Sequence, residues 1–330
     1  MKKLVAMILC LMVAAGTLAG CGTGEEKQDD TLQIVTTIFP EYDWVREILG
    51  EMAELADVTM LLDSGVDLHS YQPTADDIIK ISDCDLFIYV GGESDEWVED
   101  VLQETENPNR KVINLLEALG DRVKTEEMVE GMQETEHEHE EQGEAHEEDH
   151  EEESDEHIWL SLKNASVLCR VISNAIQELD PLNQAIYAEN TKLYLDKLSN
   201  LDESYQALVE EATYDTVLFG DRFPFRYLMD DYGLHYYAAF SGCSAESEAS
   251  FETILFLANK MDALELPCVL TIDGAKHRIA ETIVENTAAK NQKVVTMDSM
   301  QSVTSSGVKN GVSYLSIMEK NLAALDEAIG

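Results

Sequence analysis

Four polar residues carry the chemistry that can be read first: His69, His157, Asp221 and Asp298. Two neutral imidazoles and two carboxylates form a mixed nitrogen and oxygen donor set, which suits Zn²⁺, with Mn²⁺ as the alternative. The four lie far apart in the chain, so only a fold can bring them together. No CxxC spacing is present, and no compact hydrolase motif accompanies these four residues. A denser group lies between the two histidines. Residues 124–156 hold fifteen Glu, two Asp and four His: His137, His139, His146 and His150. Imidazoles and carboxylates on a flexible chain make several weak, exchangeable sites for divalent ions, and tethering raises the metal concentration near a main site.

The elements that must position these residues follow from patterning. Apolar strands at 31–37, 58–62, 86–90 and 111–114 alternate with helices at 41–49, from 75 and from about 97. Thr74 is placed to cap the second helix, with Asp76 and Asp77 in its first turn. Helices at 164–179 and 182–212 follow. A second alternation then has strands at 216–219, 236–240, 269–272 and 293–297, and helices at 225–232, 251–262, 278–287 and 311–328. Strands alternating with helices make parallel sheets with helices on both faces. The predicted fold is therefore α/β with two lobes, each a parallel sheet flanked by helices, joined by one long connecting helix. The N-terminal lobe is 31–179, the connector 180–212 and the C-terminal lobe 213–330. The acidic segment 124–156 is too poor in apolar residues to offset its ordering entropy and reads as a disordered loop. In open parallel sheets ligands bind beyond the carboxyl ends of strands. His69 follows the strand at 58–62, His157 precedes a helix, and Asp221 and Asp298 directly follow strands.

The balance of 22 Lys and Arg against 66 Asp and Glu gives a net charge of −44. Phosphate neutralisation needs clustered basic residues, so nucleic-acid binding is excluded. Docking on anionic lipid through surface charge is disfavoured too. Membrane contact is expected at the N-terminus instead. Lys2 and Lys3, the apolar run Leu4 to Ala15 and then Leu18-Ala19-Gly20-Cys21 follow the pattern of a secretory signal peptide over 1–20. The last four residues resemble a bacterial lipobox. That resemblance implies cleavage before Cys21, a lipid on its thiol, and a polar tether over 21–30. Cys84 and Cys169 sit in apolar surroundings and read as small core residues.

Longer stretches resemble the substrate-binding lipoproteins of bacterial zinc and manganese ABC transporters. Ile34 to Asp43 (IVTTIFPEYD) resembles the first strand and turn of that family. His69-Ser70-Tyr71-Gln72-Pro73-Thr74 resembles its HxYEPxP-type segment, with Gln72 where Glu is common. His157-Ile158-Trp159-Leu160-Ser161 is close to DPHIWLSP, and Phe225 to Leu234 resembles FGYLAxxYGL. Ser241 to Ser250 resembles GLSPExEPS, and Val295-Thr296-Met297-Asp298 resembles VxxLDPL. The resemblance implies that His69 and His157 are metal ligands and that Asp298 is a carboxylate ligand from the other lobe. It also implies a departure. The position of the remaining family ligand, His or Glu, falls on Arg222, which is always protonated and cannot bind a metal. Asp221 replaces it with a shift of one residue, or water fills the position while Arg222 pairs with Asp221 or Asp298. His235 ranks lower, because it lies near the start of a strand.

The implied function is a lipid-anchored protein, monomeric and without enzymatic activity, on the outer face of the cytoplasmic membrane. It captures Zn²⁺ and delivers it to the membrane permease of an ABC transporter. A surface metallohydrolase and an adhesin are the alternatives. The first would need an open metal position and a general base beside it. The second would follow from an absence of metal affinity.

Overall fold

Ile34 and Val35 are at most 3% exposed, which is how a strand covered on both faces of a parallel sheet behaves. The computed structural model describes residues 31–105, 107–133, 153–244, 248–274 and 276–330. The expected signal peptide, Cys21 with its tether, and His137, His139, His146 and His150 lie outside the described residues. Strands β1 (Gln33–Thr36), β2 (Asp57–Met60), β3 (Leu86–Tyr89) and β4 (Lys111–Asn114) form one sheet in the order β2-β1-β3-β4. Strands β5 (Thr216–Phe223), β6 (His235–Ser241), β7 (Cys268–Ile272) and β8 (Lys293–Met297) form a second in the order β6-β5-β7-β8. Every pairing is parallel. Each sheet reverses its winding beside its first strand, and such a switch point opens a crevice at the carboxyl ends.

The first half carries helices α1 (Phe39–Leu49), α2 (Ala75–Asp83), α3 (Trp97–Glu104), α4 (Leu115–Leu119) and α5 (Leu162–Leu179). Helix α6 (Gln184–Glu210) runs to the second half, which carries α7 (Arg226–Tyr232), α8 (Phe251–Leu264), α9 (Arg278–Asn286), α10 (Ser305–Lys309) and α11 (Tyr314–Ile329). Thr74 caps α2 as its sequence indicates, its hydroxyl accepting from Asp77 N at 3.3 Å. Among the described residues no helix is long and apolar enough to cross a membrane.

Helix α6 has 27 residues, so it is about 40 Å long at 1.5 Å per residue. Its aliphatic residues alone suggest a poor helical stripe, because Ile186 and Leu193 are exposed. The buried stripe is Tyr187, Thr191, Tyr194, Leu198, Leu201 and Tyr205. These recur every three or four residues, the spacing that keeps one helix face inward. Tyrosines thus supply half of the buried face. The Tyr205 hydroxyl donates to Met318 O at 2.7 Å, tying the connector to α11. One hydrophobic core runs from Trp44 and Ile48 through Tyr194 and Tyr205 to Met297 and Tyr314. A smaller cluster around Leu218, Phe240, Leu257, Met261 and Ile283 covers the other face of the second sheet.

Two expectations are corrected here. Strand β5 does not end at Phe219. It continues to Phe223 with a register irregularity between Phe219 and Arg222, so Asp221 lies within the strand rather than after it. The acidic segment also starts and ends in specific contacts. Thr125 pairs with Ser154, Glu126 N donates to Glu153 O, Tyr236 donates to Glu127, Glu130 pairs with Lys260, and Gln133 N donates to Ala239 O. Residues 124–133 and 153–156 are therefore anchored in the fold. Hydrogen bonds and ion pairs order them, together with Met132 and Val129 packed on the core.

Burial also sets how stability depends on pH. Asp43 and Asp95 are both buried, and desolvation pushes each carboxyl up to about 7. The nearby acids Glu47 and Glu156 raise them further, against hydrogen bonds from Tyr314 N and Gly91 N. A carboxyl raised in the folded state holds its proton where the unfolded chain has released it. Its stability contribution is full below the unfolded value and is lost as pH rises through the folded value. Burial acts oppositely on His69, holding its imidazole down to about 3, which removes stability as pH falls below the unfolded value. Two carboxyls outweigh one imidazole. The melting temperature of the metal-free protein is expected to be higher at about pH 5.5 than at about pH 8. Melting at both pH values, with Asp95→Asn flattening the difference, checks this.

Candidate metal centre

His69 enters the site on a 3₁₀ turn, Leu68–Ser70, that follows β2. Asp67 caps the turn, its carboxylate accepting from His69 N at 3.1 Å, and buried Leu68 anchors it. The other Asp67 oxygen pairs with the Arg222 guanidinium on β5. The His69 Nδ1 atom lies 2.7 Å from Ser94 Oγ and 3.5 Å from Glu156 Oε2. Glu156 is itself buried and accepts from Ser94 N at 2.8 Å. Gly92 makes room for it, since a Cβ there would stand 2.4 Å from Glu156 Oε1.

His157 is fully buried at the start of the turn Ile158–Leu160. Asp155 Oδ1 accepts from His157 N at 2.9 Å and lies 3.0 Å from its Nδ1. An Nδ1–H held by a carboxylate leaves the Nε2 lone pair free, which is the arrangement that orients and strengthens a metal-binding imidazole. The two Nε2 atoms are 3.3 Å apart. Gln301 brings its side-chain amide to both, with Nε2 at 3.3 Å from His69 and 3.2 Å from His157. One ligand atom each from His69, His157 and Cys243 lies within 4.8 Å of the others. Burial, with the His157 imidazole and Arg222 close by, holds the His69 imidazole down to about 3, so it is neutral at physiological pH, as a ligand must be.

Asp221 and Asp298 are not in that group. Asp221 lines the same cleft, of about 860 Å³, together with His69, Asp67 and Arg222. Its oxygens are already used, accepting from Arg222 N at 3.0 Å and Thr271 Oγ1 at 2.8 Å. Asp298 does follow β8, but its carboxylate accepts from Met300 N at 2.8 Å and shapes the turn that delivers Gln301. Met300 adopts φ +67°, a conformation that a side chain other than glycine's rarely takes. Asn321 clamps Asp298 on both sides, accepting from its N at 2.7 Å and donating to its O at 2.8 Å. Asp273 accepts from Ser299 N at 2.6 Å and braces the same turn. Burial and the neighbouring Asp273 charge raise the Asp298 carboxyl to about 6. His235 is exposed at the start of β6, away from the imidazole pair's end of the strands. The signal that would have found Gln301 is its place three residues after an aspartate that ends a strand.

The Asp155 contact makes a testable claim. Asp155→Asn keeps the shape and removes the charge that orients His157. Zinc affinity is expected to fall about 10- to 100-fold with the fold retained, the usual effect of removing such a partner. Competition titration against a chromophoric chelator measures it, and an unchanged affinity would contradict it.

The two-sheet α/β fold is shared more widely. The model of the family described as zinc-uptake complex component A, periplasmic, matches residues 34–328. The chain belongs to that family. It is 28% identical over 327 residues to the zinc-binding lipoprotein AdcA of Streptococcus pneumoniae. That match takes in 99% of this chain but 61% of AdcA, so the chain spans less than two thirds of that relative. It is also 28% identical over 325 residues to the high-affinity zinc uptake system protein ZnuA of Bacillus subtilis, covering 98% of this chain and 96% of that protein. The Zn(II)-bound ZnuA-like domain of S. pneumoniae AdcA superposes with a TM-score of 0.68 at 27% identity, over 90% of this chain and 98% of that domain. Family membership accounts for the two-sheet α/β fold from Ile34 onward.

Proposed function

We propose that this protein is the zinc-capturing component of an ABC-type uptake system, and that His69 and His157 hold the ion. The observation that carries this reading is the imidazole pair. Two buried or half-buried rings present their Nε2 atoms 3.3 Å apart, each with Nδ1 committed to an acceptor or hydroxyl. Two imidazoles on one tetrahedral zinc, with bonds of about 2.0–2.1 Å, stand roughly 3.3 Å apart. The names of the relatives, zinc-binding lipoprotein and high-affinity zinc uptake system protein, point to the same cargo. Zinc is bound and passed on unchanged, so no enzymatic step is required. The partner is the membrane permease of the uptake system. Lipidation at Cys21 would hold the protein on the outer face of the cytoplasmic membrane.

Asp221 draws the cation into the cleft, and Asp298 shapes the turn beside it. Hydrogen bonds already occupy both oxygens of Asp221 and one of Asp298, which leaves them as supports in this reading. His137, His139, His146 and His150, among their many glutamates, supply weaker sites that feed the main one. The test is metal content and zinc titration of the parent beside His69→Ala and a chain in which residues 134–152 are replaced by a short linker. One tight zinc per chain, lost in His69→Ala and kept in the linker variant with fewer weak sites, supports the reading. Tight binding that survives His69→Ala overturns it.

A further inference from the structure

We propose that Cys243 is a metal ligand, so that the site is His69, His157 and a Cys243 thiolate, with the Gln301 amide oxygen as the fourth donor. This rests on zinc capture at the imidazole pair and specifies its chemistry. The thiol is not a stray cysteine near a site. Cys243 follows β6 by two residues, at the carboxyl end where the other donors lie. Gly242 lets that segment pass directly over His157, for a Cβ there would stand 3.1 Å from His157 Nδ1 and Cε1 and 2.9 Å from Phe223 O. Cys243 N donates to Glu126 Oε1 at 2.8 Å, which pins the backbone from the base of the acidic segment. Its ligand atom and those of the two histidines are within 4.8 Å of one another. Tetrahedral zinc with nitrogen bonds of about 2.0–2.1 Å and a sulfur bond of about 2.3 Å places N and S roughly 3.6 Å apart. That is about 1.2 Å less than the 4.8 Å within which the three ligand atoms lie. Among the described residues the other cysteines, Cys84, Cys169 and Cys268, are buried and outside the group.

The amide completes the set. Oxygen and nitrogen of a glutamine side chain are interchangeable in placement, so the amide at 3.2 and 3.3 Å from the two Nε2 atoms presents either a donor N–H or a ligand oxygen. Two imidazoles, one amide and one thiolate bring a single negative charge to a divalent ion. Burial and the acids Glu126, Glu156 and Asp155 hold the thiol protonated in the metal-free protein, and a bound divalent cation displaces that proton. Arg222, committed to Asp67, leaves its strand without a ligand, and Cys243 on the neighbouring strand's end fills that role. The consequence is selectivity. Thiolate favours zinc and other soft or borderline ions over manganese.

Cobalt(II) loaded into the metal-free protein reads the donor set. The parent is expected to show a near-ultraviolet sulfur-to-cobalt charge-transfer band with tetrahedral visible absorption. Zinc displaces the cobalt, while a large excess of Mn²⁺ does not. Cys243→Ser is expected to bind without the charge-transfer band and with at least about 10-fold lower zinc affinity. Should Cys243→Ser fold poorly, Cys243→Asp serves: it is expected to lose the band, keep a bound ion and gain Mn²⁺ competition. Gln301→Leu is expected to keep the band and lose affinity. Cobalt bound to the parent at one per chain with no such band, or a band that persists in Cys243→Ser, overturns the thiolate while leaving zinc capture by the imidazoles standing. A parent that binds no metal overturns both.

Discussion

His157→Ala is expected to lower zinc affinity by at least about 100-fold, beyond the 10- to 100-fold that a supporting residue costs, because it removes a donor rather than its orientation. No neighbour replaces it. The ring is fully buried between His69, at 5.3 Å between centroids, and Trp159, also at 5.3 Å. The substitution also strips a partner from buried Asp155, whose Oδ1 keeps only the His157 N–H. Leaving a buried acceptor short of a partner costs about 1–3 kcal/mol. Lower stability of the metal-free form is therefore expected alongside the lost affinity. Zinc titration and urea melts of the metal-free protein measure the two effects separately. His157→Gln separates them further, since an amide N–H can satisfy Asp155 while the imidazole donor is gone. Affinity lost in both variants with stability recovered only in His157→Gln is the expected pattern. Tight zinc in either variant would contradict the site.

Trp159→Ala is expected to have the largest effect on stability of any change near the site, about 3–5 kcal/mol, as for other fully buried large side chains. Trp159 is 1% exposed. Its indole N–H donates to Ser299 O at 2.9 Å, and its own carbonyl accepts from the Tyr314 hydroxyl at 2.7 Å. The ring therefore stands between the imidazole of His157 and the turn that carries Gln301. Removing it opens a cavity behind one donor and frees the strand-end turn of another. Zinc affinity is expected to fall with stability, because both groups lose their backing. Trp159→Phe keeps most of the packing and loses chiefly the hydrogen bond, costing about 1 kcal/mol for that bond. Chemical denaturation of the metal-free protein, read as a shift in midpoint, distinguishes the two. Equal midpoints for Trp159→Ala and the parent would show that the turn does not depend on the indole.

Much of the architecture was legible in order and type. Seven of the eight strands were expected within two residues of their ends, because buried parallel strands are short apolar runs set off by polar loops. The exception, β5, was read as stopping at Phe219. Gly220, Asp221 and Arg222 look like the end of a strand, yet pairing with β6 resumes at Arg222 opposite Phe240 after the irregularity. The connector is legible as a helix, but its buried face is not: Tyr187, Thr191 and Tyr194 turn inward while the aliphatic Ile186 and Leu193 are exposed.

By itself the sequence determined that His69 stands just past the end of a strand, and so could face the crevice there, and that His157 precedes a helix. Strand and helix periodicity is local, and a histidine just past a strand end needs little else to reach it. Only the tertiary structure decided which of the remaining polar residues turn inward. Asp298 and Gln301 are three residues apart, and a turn with one positive φ spends the first on its own backbone and points the second at the imidazoles. Asp221 and Arg222 are adjacent, and their partners Thr271 and Asp67 come from other strands and loops. Cys243 reaches the imidazoles only because Gly242 has no side chain where it crosses His157. Apart from the Asp298 turn, these choices depend on contacts between residues tens to hundreds of positions apart, which a local pattern does not encode.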